Sequence, residues 1–343
     1  MSPLTTQLAL PASLSAGPAA LASAFALPHH VSAPAPPSNL ISNGSSNSNG
    51  SLLTFLEDAW HANGIAGEGN LALSVNPLGA GQAGDTSLAV HYPAGTRDGA
   101  QFRMNLFPSS AEPVQTAILS YEVAFDPNFH WVKGGKLPGL YGESANASSI
   151  CTGGNHESNC FSARLMWRNG GEGEVYAYIP SYTGFCSQSD VMCNQEYGTS
   201  LSRGTFSFTR GGWTRITQLV SLNNPGLANG VLVLYANDTL ALAQTGLVYR
   251  TRSSVALTSV LFSTFFGGSS DSYDSKGDSA YFRNFQVWYG PFESNTTGPA
   301  VNASFSSTDS SSSAEPFSKT PFYGPRGLFL LLLLSASACA ALV

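Results

Sequence analysis

Charge is scarce in this chain. Only 10% of its 343 residues are Asp, Glu, Lys or Arg, and neither Lys nor Arg occurs before Arg97. No basic block is present and the formal net charge is −6, which excludes a nucleic-acid partner gripped through phosphates. No G-x-x-x-x-G-K-[ST] run occurs, so a phosphate-cradling loop of that kind is excluded. None of the five cysteines forms a C-x-x-C, and His156 is the only imidazole near the central four, which counts against zinc. No metal or other cofactor is expected. Long helical periods are missing, as is any repeat of roughly 20–50 residues.

What is present is β-forming. Thirty-five glycines punctuate short runs rich in Phe, Tyr, Val, Thr and Ser. Examples are TSLAVHY (86–92), AILSYEVAF (117–125), FSARLMW (161–167), EVYAYIP (174–180), WTRITQLVSL (213–222), GVLVLYAN (230–237) and SAYFRNFQVWY (279–289). Strands at that spacing predict an all-β domain over residues 55–292: an antiparallel β-sandwich with jelly-roll topology.

The ends differ in composition. Residues 1–26, Ala/Leu/Ser-rich with ASAFA near their end, read as a signal peptide that lacks the usual basic start. Residues 27–54, rich in Pro, Ser and Asn, read as a flexible linker. A Ser/Thr-rich linker is expected over 293–326. The apolar tail 327–343 then fits a GPI-attachment signal better than a tail anchor, because nothing basic follows it. Spacing favours two local disulfides, Cys151–Cys160 and Cys186–Cys193, although four cysteines allow three pairings. Disulfides imply an oxidising compartment, and sequons at Asn43, Asn49, Asn146, Asn237, Asn295 and Asn302 agree with it. The expected address is extracellular, secreted or GPI-anchored at the cell surface, with the membrane reached only through that anchor, and the expected state is a monomer.

Two stretches carry chemistry. In SARLMWRNGGEGEVYAY (162–178) a hairpin turn near Gly170 sets Ser162 opposite Tyr178 and Arg164 opposite Tyr176. Successive strand residues alternate faces, so these four share one surface while Ala163, Leu165, Trp167, Val175 and Ala177 form the core face. A solvated outer face is the plainer alternative. In FHWVKGGKLPGLYGE (129–143) two lysines flank a Gly-Gly and a Pro-Gly turn follows. An exposed basic turn is the plainer reading there. Lys133 and Lys136 face opposite ways if the strand continues, unless the Gly-Gly pair bulges. His130, between Phe129 and Trp131, either lines a cleft or is a half-buried histidine with its partners met. Glu172 and Glu174 flank the turn and read as solvated carboxylates rather than a hydrolase pair.

WVKGGKLPGLYG, FSARLMWRNGGEGEVYAYIP and DSAYFRNFQVW, taken in order, resemble polysaccharide lyase family 14 over roughly residues 70–290. The resemblance implies a jelly roll with a cleft on its concave sheet and β-elimination on uronic acid polymers. It implies a site of Tyr176, Tyr178, Arg164, Ser162 and one lysine of the KGGK segment, Lys136 or Lys133. Tyr176, Tyr178 and Lys136 are taken as the catalytic group, with Arg164, Ser162 and Lys133 toward the substrate and His130 added as a cleft-lining candidate. The cysteine-bearing segment ASSICTGGNHESNC and the long loop over 181–200 would reshape that cleft.

The residue types suit the reaction. Removing the proton on C5 of a uronate requires a cation to offset the neighbouring carboxylate, and Arg offers a two-pronged contact. A base takes H5 and an acid protonates O4. A free tyrosine titrates near about 10 and needs nearby cations to act as the base. On this reading one tyrosine removes the proton, with Lys136 assisting, and the partner is an acidic polysaccharide, glucuronan-like before alginate-like. The rival from another class is a non-catalytic carbohydrate-binding jelly roll of the cell surface.

Overall fold

The computed structural model describes residues 10–40, 48–79, 85–107, 112–148, 150–194 and 196–305. Most of the signal-peptide start (1–9), Asn43, and everything from 306 on, including the tail 327–343, lie outside the described residues.

Two helices, α1 (Pro18–Ala24) and α2 (Ser48–Ala59), flank the first strand, β1 (His29–Ser32). The strands that follow are β2 (Ala62–Ala66), β3 (Leu71–Val75), β4 (Thr86–Tyr92), β5 (Ala100–Met104), β6 (Thr116–Phe125), β7 (Gly134–Glu143) and β8 (Cys160–Arg168). After the hairpin turn come β9 (Glu172–Tyr178), β10 (Val191–Met192), β11 (Thr199–Ser207), β12 (Trp213–Ser221), β13 (Gly230–Ala236), β14 (Thr239–Leu247), β15 (Ala256–Thr264) and β16 (Asp278–Gly290). They make two eight-stranded antiparallel sheets. One runs β14-β13-β12-β6-β16-β4-β3 with β1 also on β16, the other β10-β11-β9-β8-β7-β15-β5-β2. Neighbours distant in sequence lie side by side in both, as the jelly-roll sandwich requires.

Alternation builds the core. Leu119, Tyr121, Ile216 and Phe282 of the first sheet meet Leu165, Trp167, Val175 and Phe262 of the second in one buried cluster. The second sheet is unusual in being covered on its other face too. There Tyr141, Met166, Tyr176, Tyr178 and Leu261 cluster with the Cys151–Cys160 bridge. Both local disulfides form, Cys151–Cys160 and Cys186–Cys193.

The N-terminal expectations need correction. Composition marked 27–54 as a linker, yet β1 pairs with Gln286–Tyr289 of β16, and α2 sends Leu52 and Leu56 into the core. The reason lies in strand lengths. β4 pairs with β16 only at Asp278–Phe282, so the later half of that long strand needs another partner on the same side, and β1 supplies it. The boundary expected at residue 55 falls inside α2. The described part of 1–26 also packs on the domain: Leu14, Leu21 and Ala22 sit against Ile118, Leu219, Val231, Val233, Tyr235 and Trp288 on the outer face of the first sheet. At the other boundary, residues beyond 292 are strapped down. Asn229 Nδ2 donates to the carbonyls of Ser294 and Thr296, and Ser304 bridges to Ser181.

Candidate active site

The hairpin places its polar residues as alternation requires. β8 and β9 pair Ser162 with Tyr178 and Arg164 with Tyr176 across a turn in which Gly170 takes φ 74°. On the far side of β8, β7 pairs Lys136 with Met166, Gly139 with Arg164 and Tyr141 with Ser162. The Pro-Gly turn expected after the lysines does not form, because β7 runs through Pro138 and Gly139 without turning. Lys136, Arg164, Tyr176 and Tyr178 therefore stand on one face of three adjacent strands. They are not an open floor: Arg164 and Ser162 are 0% exposed, Tyr178 1%, Tyr176 7% and Lys136 8%.

Arg164 is the outstanding group. One of its nitrogens, Nη1, donates to Ser263 Oγ at 2.9 Å, and that hydroxyl donates to Gln101 Oε1 at 2.9 Å. Its Nε and Nη2 are buried with no hydrogen-bond partner. Among the described residues no carboxylate forms an ion pair with it. An ionised group held dry and unpaired costs several kcal/mol, on the order of what a bound anion would return. Burial pulls even this guanidinium below its ordinary range.

Lys136 shares the site. Its Nζ lies 2.7 Å from Met166 Sδ and 3.6 Å from the centroid of the Tyr176 ring. Burial first, then the charges of Arg164 and Arg168, hold its ammonium well below the usual lysine range; Glu174 pulls weakly the other way. The phenols move in the opposite direction. Burial raises Tyr176 well above its ordinary value and raises Tyr178 too, while Arg164 and the backbone N–H groups of Gly154 and Gly198 offset part of the rise at Tyr178. Burial thus shifts the lysine and the two phenols in opposite directions.

The segment between the bridged cysteines closes over this face. The N–H of Gly154 donates to Tyr178 Oη at 3.0 Å, and His156 stacks obliquely on the Tyr178 ring with centroids 5.3 Å apart. Phe305, at the end of the C-terminal strap, packs on His156. Ser162 serves this cover: its hydroxyl donates to the Cys151 carbonyl at 2.7 Å rather than facing an open cleft.

Two expected residues lie elsewhere. His130 pairs with Asp278 of the opposite sheet at 3.0 Å and is largely exposed, so it does not line the groove. Lys133 is exposed: it binds Ser272 Oγ at 2.7 Å and rests on the Tyr273 ring. Glu174, read as a solvated turn carboxylate, is instead fully buried. It takes Arg168 on one oxygen, and Arg203 Nε and Ser200 Oγ, each at 2.6 Å, on the other. The signal for it was there, since Glu174 shares the parity of Tyr176 and Tyr178. Gly154, His156, Ser263 and Gln101 carried no such signal, because their approach depends on loops and strands distant in sequence.

The second sheet of this jelly roll thus holds, side by side, a buried guanidinium with two unpartnered N–H donors, a buried amine and two phenols. The chain belongs to polysaccharide lyase family 14, whose model matches residues 80–285. It is therefore a polysaccharide lyase. It is similar to the marine PL-14 alginate lyase of Aplysia kurodai, with 31% identity, coverage of 77% of this chain and 99% of that one, and a TM-score of 0.65. A Chlorella virus alginate lyase shares the fold at 19% identity, covering 70% and 97% of the two chains with a TM-score of 0.53. No curated protein sequence matches the chain.

Proposed function

We propose that this site cleaves a uronic-acid polymer by β-elimination, and the observation that carries the reading is Arg164, buried with two unpartnered N–H donors. A uronate carboxylate docked on those donors gains charge-assisted bonds, and its enolate-like form gains more as negative charge develops. Lys136 is the base. Burial lowers the proton affinity of its amine and raises that of the phenols, which favours the lysine as base and a phenol as acid. This reverses the expectation of a tyrosine base. The C5–H bond breaks and its proton passes to Lys136 Nζ. The electron pair forms the C4–C5 double bond, the C4–O4 bond breaks, and O4 takes the phenolic proton of Tyr178. Tyr178 is the better donor of the two because Arg164 and the Gly154 N–H stabilise its anion and act on Tyr178 alone of the pair. Tyr176 is the shelf on which the Lys136 amine rests.

The substrate class that fits is an acidic polysaccharide of uronate units. Alginate comes first because the Aplysia relative is described as an alginate lyase, which displaces the preference for glucuronan. Two disulfides agree with secretion. The sequence beyond residue 305 supports a GPI-linked surface form, and the enzyme acts as a monomer.

The test is incubation with alginate and with polyglucuronate while following absorbance of the new double bond. Lys136→Ala and Tyr178→Phe should each lower kcat by about 10²- to 10⁴-fold, as loss of a general base or acid does, and Tyr176→Phe should cost less. Wild-type protein that binds these polymers yet produces no double bond would be a lectin, and the proposal would fall.

A further inference from the structure

Lys136 reaches the groove only because β7 changes parity. Tyr141 faces the groove, so strict alternation backward would turn Leu137 to the groove and Lys136 into the core. Instead Leu137 and Leu140 both lie in the core cluster. The pairing steps from Leu137 opposite Leu165 to Gly139 opposite Arg164, so two steps of β7 face one step of β8. Pro138 is the extra residue of a β-bulge. The chain is pressed close here: a Cβ on Gly139 would lie 2.2 Å from the Ala163 carbonyl oxygen.

A bulge removes ladder partners, and in a dry interior those backbone groups must find others. The partners come from the opposite sheet. Tyr121, on β6, donates its hydroxyl to the Pro138 carbonyl at 3.0 Å. Gln218, on β12, accepts from the Leu140 N–H at 3.1 Å and donates to the Ala163 carbonyl at 2.8 Å. Both side chains are 0% exposed on the inner face of the first sheet, among apolar neighbours. A glutamine at that depth has no packing advantage over leucine or methionine, and its two bonds go to the two strands that carry Lys136 and Arg164.

We infer that Gln218 and Tyr121 are positioning residues that reach through the sandwich to hold the Pro138 bulge, and thereby hold Lys136 Nζ on the groove face. The inference rests on Lys136 acting in the elimination. Gln218→Met keeps length and removes both bonds. Tyr121→Phe removes one and leaves the ring stacked on Phe285, 5.1 Å away between centroids.

In Gln218→Met, kcat on the uronan should fall by about 10- to 100-fold, the cost of a misplaced reacting group, with KM nearly unchanged; Tyr121→Phe should lose less. Independently of turnover, the rate of reductive methylation at Lys136, read by peptide mass spectrometry without substrate, should change several-fold in both variants. The rates at Lys133 and Lys276 should stay as in wild type. Folded variants with wild-type kcat and wild-type labelling at Lys136 would overturn the inference, and if Gln218→Met does not fold, Tyr121→Phe decides on the same two readings. If wild type eliminates nothing while Lys136 labelling still shifts in the variants, the lyase chemistry is wrong and the positioning role stands.

Discussion

At the scale of single residues, Arg164 and Lys136 are basic groups kept where water reaches them poorly, and the fold bears the cost of charging them. The sign of the pH effect follows from the direction of the Lys136 shift. An unfolded lysine holds its proton up to about 10.4, whereas the folded one releases it at lower pH. Between those two values the unfolded chain binds more protons, so stability rises with pH across that window. Below the folded value the penalty is complete. Lys136→Met should therefore raise the melting temperature while abolishing elimination, with a gain on the order of 1–4 kcal/mol. The gain should be largest in melts at pH below the folded value and should shrink as pH rises toward about 10.4. Arg164 shows no such relief with pH, because its guanidinium stays charged throughout.

At the scale of elements, the segment between Cys151 and Cys160 and the bulge in β7 shape the site, and they differ in what the sequence revealed. Hairpin parity was legible. Ser162 and Tyr178 face each other, as do Arg164 and Tyr176, because a period of two and a Gly turn leave no other register. The bulge was not. Pro-Gly after an apolar run reads as a turn, and the partners that hold the continuing strand, on β6 and β12, lie 17 and 78 residues away in sequence. The covering segment was legible as a disulfide loop but not as the donor to Tyr178. Replacing both Cys151 and Cys160 by Ser frees a loop of separation 9, costing at most about 3 kcal/mol by chain entropy. Turnover should suffer relatively more. Loss of the Gly154 bond to a phenol that becomes charged is worth about 1.5–3 kcal/mol, which is roughly 10- to 100-fold in kcat. Melting curves and kcat measured on the same double variant separate the two effects.

At the scale of the whole molecule, composition misjudged how far the domain extends. Sparse apolar residues of the N-terminal stretch, Leu14, Leu21, Leu52 and Leu56, are buried as fully as those of the strands. A stretch rich in Ser, Asn and Pro still folds when a sheet offers unpaired backbone and an apolar face. Removal of residues 1–26 would uncover Ile118, Leu219, Val231, Val233, Tyr235 and Trp288 together. Protein beginning at residue 27 should therefore bind a hydrophobic dye such as ANS more strongly than the full chain, or associate through that face in sedimentation. Equal dye binding and equal sedimentation would mean that another surface covers the strip.

The unpaired Arg164 also bears on how salt should act on the protein. The chain carries a formal charge of −6, so a polyanion meets net repulsion at long range. Ions screen exposed charges over about 8 Å at physiological strength but screen a buried one much less. Added salt should therefore weaken the general repulsion while leaving the pull of the two unpartnered N–H donors of Arg164 largely intact.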